Sequence, residues 1–271
     1  MQNFLILIDF VKKLYRSRYT LKMLAMRDLK AQYVGSFFGF FWALINPLAQ
    51  VVVYGVIFGV FFKSTPDPVY RTDSFLLFLL CGIVPWQFLS QAVSASSGVL
   101  LSNRNLIKKS PGFPSEILPV TTVISNVISH LIALCLLIAA VVFLTGALSP
   151  MLAVIFIYMF LTAIFALGLG WILSSLNVFI RDVGQVLGLV MMVWMFFTPL
   201  FYPPSIFPAK YLFIFKLNPA YHFVEGYRLA LLAGRFEPAG DFIYFAVVSF
   251  ITFGVGGVFF RRLKPGFAEA I

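Results

Sequence analysis

Hydrophobic residues along this chain come in long blocks separated by short polar breaks, and the longest block decides the class of fold. Residues 117–180 contain no Asp, Glu, Lys or Arg. As a single helix this stretch would be about 96 Å long at about 1.5 Å rise per residue, against a bilayer hydrocarbon core of about 30 Å. It must therefore cross a membrane and return, and Thr145, Gly146, Ser149 and Pro150 supply turn residues where the fold-back is needed. Further charge-free blocks cover residues 31–62, 74–103, 183–209 and 242–260, each long enough for one span. The pattern predicts spans at 34–62, 75–101, 117–144, 151–176, 183–203 and 241–260. Short segments of alternating polarity are absent, which excludes an outer-membrane barrel. The expected fold is an all-α integral membrane protein of six transmembrane helices, with residues 1–271 forming a single transmembrane domain.

Composition and charge add an orientation. Apolar residues make up 61% of the chain and charged residues 11%, against about 25% charged in soluble domains, so no separate soluble domain is expected. Of the 20 basic residues, 14 precede span one or follow spans two, four and six. The other side holds Lys63, Arg71, Lys210, Lys216, Arg228 and Arg235, while acidic residues divide evenly. Positive-inside bias places the larger set, and both termini, in the cytoplasm. Because the basic residues flank spans, lipid headgroups account for the net charge of +10 better than nucleic acid does.

Two segments outside the spans are also patterned. Phe4, Leu7, Ile8, Val11, Leu14 and Tyr15 recur at helical spacing, with Asp9, Lys12, Lys13 and Arg16 opposite. This predicts an amphipathic helix at the cytoplasmic interface within residues 1–33; its apolar run precedes the basic cluster, the reverse of a secretory signal. The outer connection 204–240 is too apolar for a solvated loop, since Ile206, Phe207, Tyr211, Phe213 and Phe215 would face water. It is predicted to form two short helices re-entering the outer leaflet, starting near Pro208 and Pro219, where they pack on protein or line a cavity. In the second helix Glu225 and Arg228 share a face. With Asn218 and Pro219 they are the candidate outer gate, the alternative being a surface ion pair of no consequence. Pairing at a gate predicts that Glu225→Arg impairs function and that adding Arg228→Glu restores part of it.

Little in the chain points to chemistry. No Gly-x-x-x-x-Gly-Lys-Ser/Thr sequence is present, so no nucleotide phosphate is cradled here in the P-loop manner. His130 and His222 belong to no zinc motif, and Cys81 and Cys135 lie within spans without metal-ligand spacing. Neither a metal nor a cofactor is expected. The spans also lack the ionisable groups that hold a coupling ion, so energy for any transport should arrive from another subunit. A membrane enzyme would place acidic or histidine residues at a membrane edge, whereas these carboxylates are scattered. A membrane transferase and a passive scaffold stay open as rivals.

Several motifs in order carry a resemblance: Arg27-Asp28-Leu29-Lys30, then Tyr33, Gly39, Trp42 and Asn46-Pro47-Leu48; Pro114-Ser115-Glu116-Ile117-Leu118-Pro119; Val178-Phe179-Ile180-Arg181-Asp182-Val183; Thr198-Pro199-Leu200-Phe201-Tyr202-Pro203; and Asn218-Pro219 followed by Val224-Glu225-Gly226-Tyr227-Arg228. The series resembles the membrane (permease) subunit of type-2 ABC exporters, in the polysaccharide branch that exports O-antigen, capsule or teichoic acid chains. Gln32 and Phe38 depart from the usual pattern, where a basic residue and a leucine are common, and leave the particular substrate open.

The resemblance implies a non-enzymatic homodimer in the bacterial inner membrane, six spans per protomer. Two separate ATPase subunits would bind ATP and Mg, and the cargo would be a lipid-linked polysaccharide. It further implies that the cytoplasmic loop 102–116, with Arg104, Lys108, Lys109 and Glu116 beside Pro111, Gly112 and Pro114, couples to the ATPase, the other reading being a basic topology signal. Arg27 with Asp28 and Arg181 with Asp182 rank second for coupling. Among the aromatic residues, Trp42, Tyr54 and Tyr202 are preferred for lining a sugar conduit, because their polar tips can hydrogen-bond while the rings stack on pyranose faces. A drug- or lipid-exporting permease of the same superfamily is the alternative cargo reading.

Overall fold

A computed structural model describes residues 18–33, 41–54, 56, 57, 61, 65–109 and 113–271. The interface helix expected over residues 4–16, the aromatic residues Phe37, Phe38 and Phe40, and the stretch Ser110, Pro111, Gly112 lie outside the described residues. Every regular element among those described is helical. In chain order they are α1 (Arg18–Tyr33), α2 (Trp42–Tyr54), α3 (Phe75–Ser102), α4 (Arg104–Lys109), α5 (Ile117–Thr145) and α6 (Leu152–Phe179). Then follow α7 (Val183–Phe197), α8 (Ala209–Lys216), α9 (Pro219–Arg228), α10 (Ala239–Leu263) and α11 (Phe267–Ala270).

Four of these, α3, α5, α6 and α10, are long and apolar enough to cross a bilayer. The chain is thus a multi-pass membrane protein. Within the stretch expected as the fifth span, Val183–Phe197 forms α7 and turns follow it. The first expected span is described only in part, as α2.

Local sequence explains where these helices begin and end. Ser74 caps α3 by accepting from the Leu77 amide, satisfying one of the amides a helix start leaves free. Ahead of it Asp67 caps the short turn Pro68–Tyr70. Gly146 takes φ 70° at the end of α5, a left-handed conformation that glycine adopts without steric cost. Pro85 sits inside α3, where it removes one amide donor.

Helix α3 is the central post, buried along most of its length and packed between α5 and α6. Helices α6 and α10 approach until their backbones touch. A Cβ on Gly256 would lie 2.3 Å from the Gly168 carbonyl oxygen, and one on Gly168 would lie 2.5 Å from the Thr252 carbonyl. Small residues at a helix crossing permit this packing, which lipid-embedded helices use in place of a hydrophobic driving force. The core has two parts. One fills the middle and the α9 end of the bundle, around Phe78, Leu89, Tyr158, Phe223 and Phe245. The other closes the α4 end, around Leu24, Leu100, Leu118, Trp171, Phe260 and Phe267. Outward-facing Phe143, Phe160, Leu189, Val193, Phe197 and Phe250 form an apolar exterior suited to lipid.

Candidate functional site

At one end of the bundle α9 is held like a keystone. Its N-cap, Asn218, uses its whole amide. The Oδ1 atom accepts from the Ala220 amide at 3.0 Å and from Trp194 Nε1 at 2.7 Å, while Nδ2 donates to Thr198 Oγ1 at 3.0 Å and to the Phe197 carbonyl at 3.2 Å. The start of α9 is thereby tied to the end of α7. Pro219 occupies the first turn, where its missing amide costs nothing.

The end of α9 is tied by charge. Arg228 is fully buried and donates from Nη1 to the Pro199 carbonyl at 2.6 Å and to Glu225 Oε1 at 2.9 Å. It also donates from Nη2 to the Leu200 carbonyl at 2.8 Å and from Nε to the Phe78 carbonyl at 3.3 Å. Its guanidinium stands 3.6 Å over the Phe78 ring, a stabilising cation–π placement. Gly82 makes the room, since a Cβ there would come within 2.7 Å of Arg228 Nη2. Glu225 accepts from the Tyr70 hydroxyl at 2.6 Å; burial, reinforced by Glu225, pushes that hydroxyl above its ordinary range and keeps it a donor. A buried charge survives folding only when paired and hydrogen-bonded in this way.

A second polar cluster lies on the other side of α9. His222 Nε2 contacts the Lys216 carbonyl at 2.7 Å and Nδ1 contacts Glu237 Oε1 at 3.0 Å, while Tyr158 donates to Glu237 Oε2 at 2.8 Å. A carbonyl oxygen only accepts, so Nε2 carries a proton. Burial raises the Glu237 carboxyl above its ordinary 4.5, with the His222 hydrogen bond opposing. Gly226 lets the Tyr158 ring lie against α9, because a Cβ there would fall 2.3 Å from Tyr158 Cζ. Tyr227 reaches His130 of α5 at 2.8 Å, and at the rim Lys216 pairs with Asp241 at 2.6 Å. Helix α9 therefore touches α3, α5 and the end of α7 through polar contacts and α6 through the Tyr158 ring, whereas Phe213 and Ile214 of α8 face outward.

Of the aromatic residues singled out by sequence, Tyr54 and Tyr202 both pack against the larger core. The Tyr54 ring lies 4.5 Å from Phe201, the neighbour of Tyr202. Tyr202 packs on Phe207, which stacks on Phe215 of α8 at 4.1 Å. The Tyr202 hydroxyl donates to the Phe196 carbonyl at 2.6 Å. Trp42 is at the other end of α2, about 18 Å away along the helix axis.

At the opposite end of the bundle α4 carries Arg104, Lys108 and Lys109, all exposed. Arg27 donates to Asp28 Oδ1 at 3.0 Å and to Asn103 Oδ1 at 2.8 Å, which joins α1 to the start of α4. Arg181 and Asp182 are exposed on the turn between α6 and α7. Glu116 behaves differently: it is buried, its carboxylate pairs with Lys264, and its carbonyl accepts from Trp171 Nε1 at 3.2 Å. Of the groups at the two ends, Tyr70, Tyr158, Glu237 and Lys264 carry no local sequence signal, since their partners are 79 to 155 positions away for all but His222.

The described helices and their polar keystone define a multi-pass membrane protein with two short helices, α8 and α9, at one end and a short basic helix at the other. Residues 19–232 match the ABC-2 type transporter family, and the chain belongs to it. Over 98% of its length it is 29% identical to the O-antigen export system permease protein RfbA of Myxococcus xanthus, all of which is covered. It is 28% identical to a protein of the same name from Klebsiella pneumoniae, over 96% of this chain and 99% of that one. The polysialic acid transport protein KpsM of Escherichia coli is 23% identical, over 90% of this chain and 93% of that one.

Proposed function

We propose that this chain is the membrane-spanning subunit of an ATP-driven exporter that moves a lipid-linked polysaccharide from the cytoplasmic side of the bacterial inner membrane. The observation that carries the reading is the end-to-end likeness to permeases named for O-antigen export and polysialic acid transport. The lack of charged residues in the four long apolar helices, apart from their ends, supports an outside energy source over ion coupling. In this reading two copies of the chain form the conduit, each contributing six spans, with the blocks at 34–62 and 183–203 supplying the first and fifth. Two ATPase subunits dock at the α4 end, where Arg104, Lys108 and Lys109 are presented to solvent, and ATP and Mg are held by those subunits. Both termini are cytoplasmic. The hairpin α8 and α9 closes the outer end, and the partly exposed Tyr54 and Tyr202 offer rings on which sugar faces can stack.

The test is copurification. This chain should bring down an ATPase whose turnover rises in its presence, and replacing Arg104, Lys108 and Lys109 together by Ala should leave insertion intact while abolishing the rise. An ATPase indifferent to this chain would remove the reading.

A further inference from the structure

The last residues of the chain lie against both ends of the loop 102–116. After α10 a single tighter helical turn, Lys264–Gly266, carries the chain on into α11. Lys264 pairs with Glu116, the residue at which the loop enters α5. Phe267 is buried, its ring 5.2 Å from Phe260 and 6.1 Å from Phe179. Gly266 sits so near Phe179 that a Cβ would lie 3.2 Å from its ring. Helix α11 packs on both α6 and α4, and Ala270 and Ile271 join Leu106 and Ile107 at the edge of the inner core.

Helix α4 needs such support. It is six residues long with no fully buried residue, and a helix of that length is not stable by itself in water. Its orientation is set by what its apolar side meets, namely Leu106 and Ile107 against the inner core that α11 completes. The cation of Lys264 meanwhile holds the other end of the loop through a largely buried carboxylate, a contact whose loss is costly. The loop is thus gripped at its helix and at its exit by one eight-residue segment.

We infer that residues 264–271 act as a brace that fixes the direction in which α4 is presented, with Lys264 and Phe267 as positioning residues. Resting on the proposed role of α4 in receiving the ATPase, the brace makes α4 a stiff lever. Movement imposed on α4 passes through Glu116 into α5 and through Phe267 into α6 and α10. The tail contributes nothing to substrate or nucleotide binding; it sets how much of each ATPase cycle reaches the spans.

The test uses the complete complex, reconstituted in vesicles with its ATPase, and reads glycan exported per ATP hydrolysed, normalised to the amount of assembled complex. Lys264→Met, and a chain ending at Leu263, should lower this ratio roughly two- to thirtyfold, the range over which changes along a coupling network act. Lys264→Arg, which keeps the charge, should restore it. A tail that served only folding would reduce the yield of complex and leave the ratio unchanged, and that result overturns the inference. A wild-type complex that hydrolyses ATP without moving glycan sinks the transport reading and the inference with it. A ratio unchanged in the variants of an active wild type sinks the inference alone.

Discussion

Glu225 and Arg228 form an ion pair at 2.9 Å inside the protein, and the guanidinium also donates to the carbonyls of Phe78, Pro199 and Leu200. The pair is therefore a joint between α9, α3 and the turn after α7. Loss of either member leaves the other charge buried. Arg228→Met or Glu225→Leu should lower stability by about 3–5 kcal/mol, measured by thermal unfolding in detergent or nanodiscs. The exchange of charges expected from sequence to restore function should instead fail. Glu at position 228 would face three backbone carbonyls with no donor among them. Recovery of folded protein by the double exchange would show that the carbonyl contacts matter less than the pair.

The buried Glu237 carboxyl, raised above its ordinary value by burial, makes this end of the bundle sensitive to pH. A carboxyl raised in the folded state adds stability that is complete below its ordinary 4.5 and is lost as pH rises through the raised value. Glu237→Gln removes that titration while keeping the acceptor for Tyr158. Between pH 4.5 and 7 the wild type should lose more melting temperature than Glu237→Gln does; parallel curves would assign the slope to other groups.

Gly226 and Gly256 are required by contact rather than by turn geometry. Gly226→Ala should cost about 1–3 kcal/mol by driving a methyl group into the Tyr158 ring. Gly256→Ala meets backbone, which cannot rotate away, and should cost at least as much. Gly98 and Gly254, which have nothing within 4 Å of an added Cβ, serve as controls. Equal melting temperatures across all four variants would contradict the packing described.

Much of the fold could be read from hydrophobic spacing, because a bilayer demands long charge-free helices and sets their minimum length. The two helices after Pro208 and Pro219 were legible for the same reason: a segment holding Phe213, Ile214 and Phe215 cannot rest in water. Residues whose meaning depends on distant partners were not legible. Tyr70 stands in a polar loop, and nothing near it announces a carboxylate 155 positions away. Glu116 lies in a basic loop and reads as a surface group, yet it faces Lys264 at the far end of the chain. The end of α7 was not legible, because apolar composition alone does not reveal where a helix stops, here at Thr198, Pro199 and the turn beyond.

Orientation is open to direct measurement. In a chain with Cys81 and Cys135 replaced by Ser, a cysteine at Ala147 should react with an impermeant thiol reagent added to intact cells, and one at Asn105 should react only after lysis. Both positions are exposed. The reverse pattern would turn the molecule over and place α4 beyond the reach of a cytoplasmic ATPase.

The most direct test of the central claim is to delete the gene and follow the glycan. Loss of this chain should remove one polysaccharide from the cell surface and cause its polyprenyl-linked form to accumulate on the cytoplasmic side. Wild-type protein should reverse both changes, and the Arg104, Lys108 and Lys109 triple alanine variant should reverse neither. A deletion strain with unchanged surface glycan and no internal accumulation would contradict the account.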